Sequence, residues 1–203
     1  MVKLDPFYLI VDRFAWIERL VPLGVKLVQL RIKDQPPHIV RDEIERAREF
    51  CAAHDCQLVV NDYWQLAIDL KCHFVHLGQE DLADADVKAI RRAGIRLGLS
   101  THDDAELDAA LSHDPDYVAL GPVYPTILKK MPWAPQGLAR LREWNSHIED
   151  VPLVAIGGLN VDRIKGVFDH RADSAAVVTD ITLNDDPEER TKQWLATTRR
   201  YCS

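Results

Sequence analysis

Carboxylate side chains end two apolar runs of this sequence and could together bind a divalent cation. The run that begins at Phe74 ends at Asp81, and the run that begins at Leu58 ends at Asp62. An apolar run that ends in polar residues is typical of a buried parallel strand that reaches a functional surface. Mg2+ often takes one or two protein carboxylates and completes its shell with water and phosphate oxygens. We therefore predict that Asp62 and Asp81 bind Mg2+, although each alone could instead cap a helix.

Polar side chains, two of them basic, alternate with apolar residues in another segment of the sequence. Gln29, Arg31 and Lys33 alternate with apolar residues, so they share one face of a predicted strand. Cations directed into the interior of a protein are costly unless an anion or a carboxylate meets them. We predict that Arg31 and Lys33 bind an anionic substrate. An internal ion pair with Asp62 or Asp81 is the alternative.

The longest connection of the chain, residues 122–136, carries a hydroxyl and two cations at Thr126, Lys129 and Lys130. Long loops in compact domains are usually functional, so we predict that this loop closes over a phosphate group. A solvated charged loop is the alternative.

Paired glycines, Gly157 and Gly158, follow the apolar run that starts at Leu153, and Thr179 follows the next run. Glycines allow backbone N–H groups to approach an anion closely. In many barrels the ends of strands seven and eight hold a phosphate monoester, which we predict for these residues.

Ser100 and His102 lie at the end of a predicted strand without forming a recognised catalytic motif. Ser100 and His102 are followed by Asp103, but neighbours on one loop cannot adopt the geometry of a Ser-His-Asp triad. Capping of the next helix by Thr101 or Asp103 explains the segment better. His76 lies within an apolar run, where a hydrogen-bonded core histidine is the more common case.

Strand and helix signals alternate eight times along the chain, which predicts one domain over residues 1–203. The pattern favours an α/β fold of the (β/α)8 TIM-barrel type, with an open doubly wound sheet as the alternative. The eight repeats and the glycine-rich end of strand seven favour the barrel. The predicted strands are Phe7–Val11, Leu27–Ile32, Leu58–Asn61, the run from Phe74, Arg96–Ser100, Tyr117–Gly121, Leu153–Ile156 and Ala175–Thr179. The predicted helices cover 14–23, 37–54, 64–70, 84–93 (capped by Asp84), 103–111, 137–148, 161–168 and 187–201.

Composition narrows the class of protein. The 25 basic and 32 acidic residues give a net charge of −7, which disfavours general nucleic-acid binding. No apolar run approaches the ~20 residues of a membrane helix, and the first residues lack a signal-peptide pattern, so we expect a cytoplasmic protein without membrane contact. The four cysteines show no metal-binding spacing, and buried free thiols are expected at Cys51 and Cys56.

Taken in order, six segments resemble the thiamine phosphate synthase family, and they cover almost the whole chain. The matching segments are 28–33, Asn61-Asp62, 76–81, 100–102, 121–126 with Lys129, and 155–158. The resemblance implies a barrel enzyme that joins 4-amino-2-methyl-5-hydroxymethylpyrimidine diphosphate to thiazole phosphate, with Mg2+ as cofactor and pyrophosphate as the leaving group. It also suggests a homodimer.

The resemblance implies a role for each matching residue. Asp62 and Asp81 would hold Mg2+, while the diphosphate and the pyrimidine would contact Gln29, Arg31, Lys33, Asn61 and Lys129. Ser100 would lie near the reacting carbon, and Ser100, Lys129 and Arg31 are the residues expected to act in catalysis. The thiazole phosphate would contact Thr126, Gly157, Gly158 and Thr179.

Three positions depart from the family pattern. Leu128 replaces a second loop threonine, Tyr63 replaces the frequent arginine after Asn-Asp, and Thr179 replaces a common serine. The first two changes could weaken phosphate binding, whereas Thr179 keeps the hydroxyl.

Two other functions fit parts of the pattern. One is a related thiazole tautomerase, which typically has a histidine where this chain has Pro122. The other is a barrel that binds thiazole phosphate without turnover, which the loss of the hydroxyl at Leu128 would favour.

Overall fold

Eight parallel strands close into a barrel in chain order. The computed structural model describes residues 4–126, 134–148 and 150–201. Each strand pairs with the next along the chain, and the eighth pairs with the first, so the sheet has no open edge. This closure confirms the predicted (β/α)8 barrel and excludes the open doubly wound sheet. The strands are β1 Phe7–Val11, β2 Leu27–Leu30, β3 Gln57–Asn61, β4 Phe74–Leu77, β5 Arg96–Thr101, β6 Tyr117–Leu120, β7 Leu153–Ile156 and β8 Ser174–Val177.

Helices follow the strands and cover the outside of the barrel. They are α1 Phe14–Leu20, α2 Pro37–Ala53, α3 Trp64–Asp69, α4 Gln79–Asp84, α5 Val87–Arg92, α6 Asp104–Leu111, α7 Gly137–Asn145, α8 Ile164–Asp169, α9 Thr179–Thr182 and α10 Pro187–Thr198. Short 3-10 turns adjoin three of them, at Val21–Leu23, Val161–Arg163 and Arg199–Tyr201. None of the helices in the described ranges is long and apolar enough to cross a membrane.

Two helix predictions were wrong in detail. Asp84 does not cap a helix but ends α4, and Asp86 caps α5 by accepting a hydrogen bond from the Ala89 N–H at 2.8 Å. Helix α9 was not predicted, because its four residues are too few to show a helical period and Thr179 was assigned to the preceding strand. Strand β8 therefore ends at Val177, before Thr179.

Side chains alternate between two cores along each strand. On β2 and just beyond it, Val28, Leu30 and Ile32 belong to the large core between the sheet and the helices, as predicted. Gln29 points the other way and is buried inside the barrel. A separate small core fills the barrel and includes Leu27, Val59, Phe74, Tyr117 and Val154. The small core closes the bottom of the barrel and supports the polar residues at the strand ends.

The ring of Tyr117 occupies space that a glycine leaves inside the barrel. Gly98 on β5 is the direct register partner of Tyr117 on β6. A Cβ atom at Gly98 would lie 2.1 Å from Cζ of Tyr117, which is far below van der Waals contact. The absence of a side chain at position 98 therefore permits the aromatic floor beneath the strand ends.

Candidate active site

A cavity of about 590 Å³ opens at the carboxyl ends of the strands. This volume is within the range of small-molecule binding sites, and this end of a barrel carries the active site in characterised enzymes of the fold. Every predicted site residue that the structure describes lines this cavity, namely Gln29, Arg31, Lys33, Asn61, Asp62, Asp81, Ser100, Thr126, Gly157, Gly158 and Thr179. Lys129 and Lys130 lie outside the described residues.

The carboxylates of Asp62 and Asp81 lie side by side on one wall of the cavity. Asp62 follows β3 with a φ of 63°, a backbone conformation that non-glycine residues adopt mainly at turns and functional sites. Its backbone N–H donates to the carbonyl oxygen of His76 at 2.9 Å, which fixes it to β4. Asp81 lies in the first turn of α4. Burial, followed by the negative charge of Asp62, raises the pKa of Asp81.

This pair suits a divalent cation. Two neighbouring carboxylates repel each other when both are ionised, and a cation bound between them reduces this repulsion. Across the described part of the chain, no group of three or more His, Cys, Asp and Glu side chains could hold a metal ion. A metal at Asp62 and Asp81 would therefore take its other ligands from water and substrate, which is the usual arrangement for Mg2+.

The two cations after β2 differ in their partners. The ammonium group of Lys33 contacts the carboxylate of Asp62, so the ion pair that the sequence left as an alternative does form for this residue. Arg31 is exposed at the mouth and makes no ion pair with any residue the structure describes. Arg31 is consequently available to an anion that enters the cavity.

The glycine pair at the end of β7 brings the loop after β6 against the cavity. Gly157 and Gly158 have φ values of 97° and 64°, which strongly favour glycine. A Cβ atom at Gly157 would lie 2.6 Å from Cα of Pro122, and the Tyr124 N–H donates to the Gly157 carbonyl oxygen at 3.0 Å. The glycines therefore allow the loop after β6 to pack against β7, and they also leave the backbone open to an anion.

Thr179 lies beside the glycine pair at the first residue of α9. Barrel enzymes often bind a phosphate group between the loops after strands seven and eight and a short extra helix. Thr126, at the last described residue before position 134, also lines the cavity. The β7–β8 side of the mouth thus has the architecture of a phosphate site, opposite the carboxylates.

A chain of hydrogen bonds runs across the barrel interior to Ser100. Gln29 Nε2 donates to the Tyr8 hydroxyl at 2.9 Å, and the hydroxyls of Tyr8 and Tyr117 are 2.9 Å apart. The Tyr117 hydroxyl is 2.8 Å from His76 Nδ1, and His76 Nε2 is 2.8 Å from Ser100 Oγ. His76 is hydrogen-bonded inside the barrel, as predicted, but it also contacts a predicted catalytic residue.

Sequence reasoning missed Tyr8 and Tyr117, which both line the cavity. Burial raises the pKa of both phenols, so their hydroxyls stay protonated. Burial also lowers the pKa of His76 to about 4, so its ring is neutral at pH 7. Polar residues facing inward on several apolar strands were the available signal, but their mutual contacts depend on the strand register.

The segment after β5 forms a local hydrogen-bonded cluster and not a triad. The Asp103 carboxylate caps α6 by accepting from the Glu106 N–H at 2.9 Å, as predicted. His102 Nδ1 is 2.7 Å from a carboxylate oxygen of Glu106, and both side chains line the cavity. Glu106 was not singled out from the sequence.

Comparison with known proteins identifies the family. The family described as thiamine monophosphate synthase matches residues 7–181. A thiamine-phosphate synthase of Rhizobium etli is 66% identical over 202 residues, covering 100% of this chain and 99% of that protein. The protein of the same name from Salmonella agona is 49% identical over 189 residues, covering 93% of this chain and 90% of its own length.

A solved structure supports the fold. The thiamine phosphate pyrophosphorylase of Pyrococcus furiosus superposes with a TM-score of 0.87 at 23% identity, and the match covers 98% of each chain. The family match at residues 7–181 spans all eight strands and nearly every residue that lines the cavity. The chain therefore belongs to the thiamine-phosphate synthase family and is a transferase.

Proposed function

We propose that this protein joins 4-amino-2-methyl-5-hydroxymethylpyrimidine diphosphate to thiazole phosphate and releases pyrophosphate. The observation that supports the proposal is that two groups of residues suited to phosphate groups line opposite sides of one cavity. Arg31 and the pair of carboxylates lie after β2–β4, while Gly157 and Thr179 lie after β7–β8. A diphosphate with its metal ion fits the first region, and a phosphate monoester fits the second.

The proposed mechanism is dissociative. The C–O bond between the pyrimidine methylene and the diphosphate breaks first, and the amino group of the ring stabilises the resulting cation. The thiazole nitrogen then attacks with its own lone pair, so the step requires no strong general base. The protein must neutralise the leaving group and hold the two reactants close together.

Each side chain has a proposed part in this scheme. Asp62 and Asp81 would hold Mg2+, which when bound supplies positive charge to the diphosphate oxygens. Arg31 would supply further positive charge to the diphosphate. Lys33 forms an ion pair with Asp62 and would add its charge on the same side of the cavity. Gln29 and Asn61 are buried at the base of the cavity and would contact the pyrimidine region.

The remaining proposed contacts lie nearer the middle and the far side of the cavity. Ser100 would lie near the reacting carbon, and Lys129, outside the described residues, would approach the diphosphate from the loop after β6. Thr126, Gly158 and the residues after β8 would contact the thiazole phosphate. The exposed position of Arg31 and the half-buried position of Ser100 are compatible with these roles.

A pyrophosphate-release assay tests the function. Purified protein with both substrates and Mg2+ should release pyrophosphate, and omission of the pyrimidine diphosphate or removal of the metal with EDTA should abolish the release. A tautomerase would change the thiazole substrate without producing pyrophosphate. A barrel that only binds thiazole phosphate would give a binding signal and no product.

The assembly and location of the protein are part of the proposal. The family likeness suggests a homodimer, and the acidic net charge of −7 argues against nucleic-acid binding. We also propose that the protein works in the cytoplasm. Light scattering after size-exclusion chromatography measures the dimer directly, and a monomeric mass would refute it.

A further inference from the structure

The five side chains that link Gln29 to Ser100 come from five different strands or strand ends. Gln29, Tyr8, Tyr117, His76 and Ser100 lie on β2, β1, β6, β4 and β5, and each contact between them is 2.8 or 2.9 Å long. Four of them are buried, and Ser100 is half-buried at the cavity surface. The chain therefore connects the floor of the barrel to one predicted catalytic hydroxyl.

The buried Tyr8 hydroxyl sets the direction of donation along the chain. Its oxygen accepts from the Gln29 amide, and Tyr117 is its only other hydrogen-bond partner among the described residues. A Tyr8 hydroxyl that donates to Tyr117 leaves no buried O–H without an acceptor, whereas the reverse direction leaves the Tyr8 hydrogen unpaired. The Tyr117 hydroxyl then donates to Nδ1 of His76, which must be the unprotonated nitrogen of the neutral ring. Nε2 of His76 accordingly carries the hydrogen and donates to Ser100 Oγ.

This direction determines what Ser100 can do. Because the Ser100 oxygen accepts from His76, its own O–H is directed elsewhere. In the described residues the hydroxyl has no second hydrogen-bond partner, and Ser100 lines the cavity. The opposite direction would use the Ser100 hydrogen to bond His76 and would present only an acceptor to a ligand.

Packing holds the middle of the chain in place. The rings of His76 and Tyr117 stack with centroids 5.5 Å apart and 10° between their planes. Tyr8 meets Tyr117 edge-on at 6.0 Å, and the missing side chain of Gly98 makes room for Tyr117. Rotation of any one ring would therefore require its neighbours to move.

We propose that Tyr117 is a positioning residue, which acts through His76 to keep the Ser100 hydroxyl as a hydrogen-bond donor toward a lone pair of the pyrimidine diphosphate. This inference rests on the proposed function for the identity of the ligand. The direction of the chain itself is a property of the free protein and can be measured without any substrate.

Nitrogen-15 NMR of the histidine rings measures that direction. In the free protein at pH 7, His76 should be neutral with hydrogen on Nε2, and its signals can be assigned by their loss in His76→Asn. In Tyr117→Phe, which keeps the ring and removes the hydroxyl, both neutral forms should be populated. A ring protonated on Nδ1 in the wild-type protein would overturn the inference.

Steady-state kinetics test whether the effect of Tyr117 on turnover of the pyrimidine diphosphate depends on Ser100. Tyr117→Phe should lower kcat/KM for the pyrimidine diphosphate about tenfold, the size expected from one misdirected hydrogen bond of ~1.4 kcal/mol. It should leave the KM for thiazole phosphate unchanged. Tyr201→Phe is the matched control, because Tyr201 stacks on Phe168 away from the cavity, and it should behave as wild type.

A double variant separates positioning from general damage. If Tyr117 acts through Ser100, Tyr117→Phe combined with Ser100→Ala should be no slower than Ser100→Ala alone. Losses that multiply in the double variant would refute the inference, as would a fully active Tyr117→Phe. If the wild-type protein releases no pyrophosphate at all, the proposed function fails, and the NMR measurement still decides the direction of the chain.

Discussion

Substitution of Gly157 by alanine tests the link between the glycine pair and the loop that borders the cavity. Gly157 has a φ of 97°, and a Cβ atom there would lie 2.6 Å from both Cα and Cβ of Pro122. The substitution thus adds two separate costs, a strained backbone and a steric overlap. Gly94 offers a matched control, because its φ is 72° and a Cβ atom there would have no neighbour within 4 Å.

The two costs have different expected sizes. An alanine in the left-handed region costs ~1–2 kcal/mol, which is the whole effect expected for Gly94→Ala. Overlap with a packed neighbour adds ~1–3 kcal/mol, so Gly157→Ala should lose about 2–5 kcal/mol of unfolding free energy. Each kcal/mol corresponds to a fall of ~2–4 °C in Tm for a protein of this size.

The strain should also reach the substrate site. Because Pro122 and the residues after it pack on Gly157, the loop must shift to admit the new methyl group. We expect Gly157→Ala to raise the KM for thiazole phosphate about tenfold or more, and Gly94→Ala to leave it unchanged. Urea unfolding and steady-state kinetics measure the two effects.

Equal results for the two variants would show that the contact between position 157 and Pro122 has no effect. If Gly157→Ala and Gly94→Ala lost the same stability, the contact with Pro122 would contribute nothing. If the KM for thiazole phosphate did not change despite a larger loss of stability, the loop would not border the phosphate site.

Three further predictions concern the charged and titrating groups. Asp81→Asn should lose Mg2+-dependent turnover and the rise of Tm on addition of Mg2+, while exposed Asp84→Asn should keep both. Because the pKa of Asp81 is raised, its protonated carboxyl group contributes stability at low pH, and this contribution is lost as the pH rises through the folded pKa. Urea unfolding at pH 7 should therefore show Asp81→Asn no less stable than wild type. The pKa of His76 is lowered to about 4, so its neutral ring contributes fully to the free energy of unfolding above pH 6.5. This contribution should fall by ~3 kcal/mol as the pH drops to 4. Urea unfolding should show the fall for the wild-type protein and not for His76→Asn. Arg31→Met should raise the KM for the pyrimidine diphosphate ~10-fold or more and change stability by less than ~0.5 kcal/mol, and an unchanged KM would remove Arg31 from the diphosphate site.

Local sequence signals were sufficient to predict the barrel and most of the cavity wall. Apolar runs of four to six residues marked all eight strands, because strands buried on both faces must be apolar throughout. The parallel arrangement brings every carboxyl end of a strand to one side, so residues such as Asp62, Ser100 and Gly157 could be placed at a common mouth before any contact was known.

Contacts between distant strands could not be predicted in the same way. Gly98 looks like an ordinary strand glycine, and only its register with Tyr117 shows that it makes room for an aromatic ring. The bond of His76 to Ser100 likewise depends on side-chain direction across neighbouring strands. For Lys33 the sequence offered an ion pair as an alternative, but only the structure shows that its partner is Asp62. Helix α9 was missed because four residues are too few to show a helical period.

Counting the products of one reaction tests the proposed function most directly. Purified protein supplied with Mg2+, the pyrimidine diphosphate and thiazole phosphate should yield thiamine phosphate and pyrophosphate in a 1:1 ratio, measured by chromatography and mass spectrometry. Tight binding of both substrates without either product would contradict the proposal that this cavity removes a diphosphate from a pyrimidine.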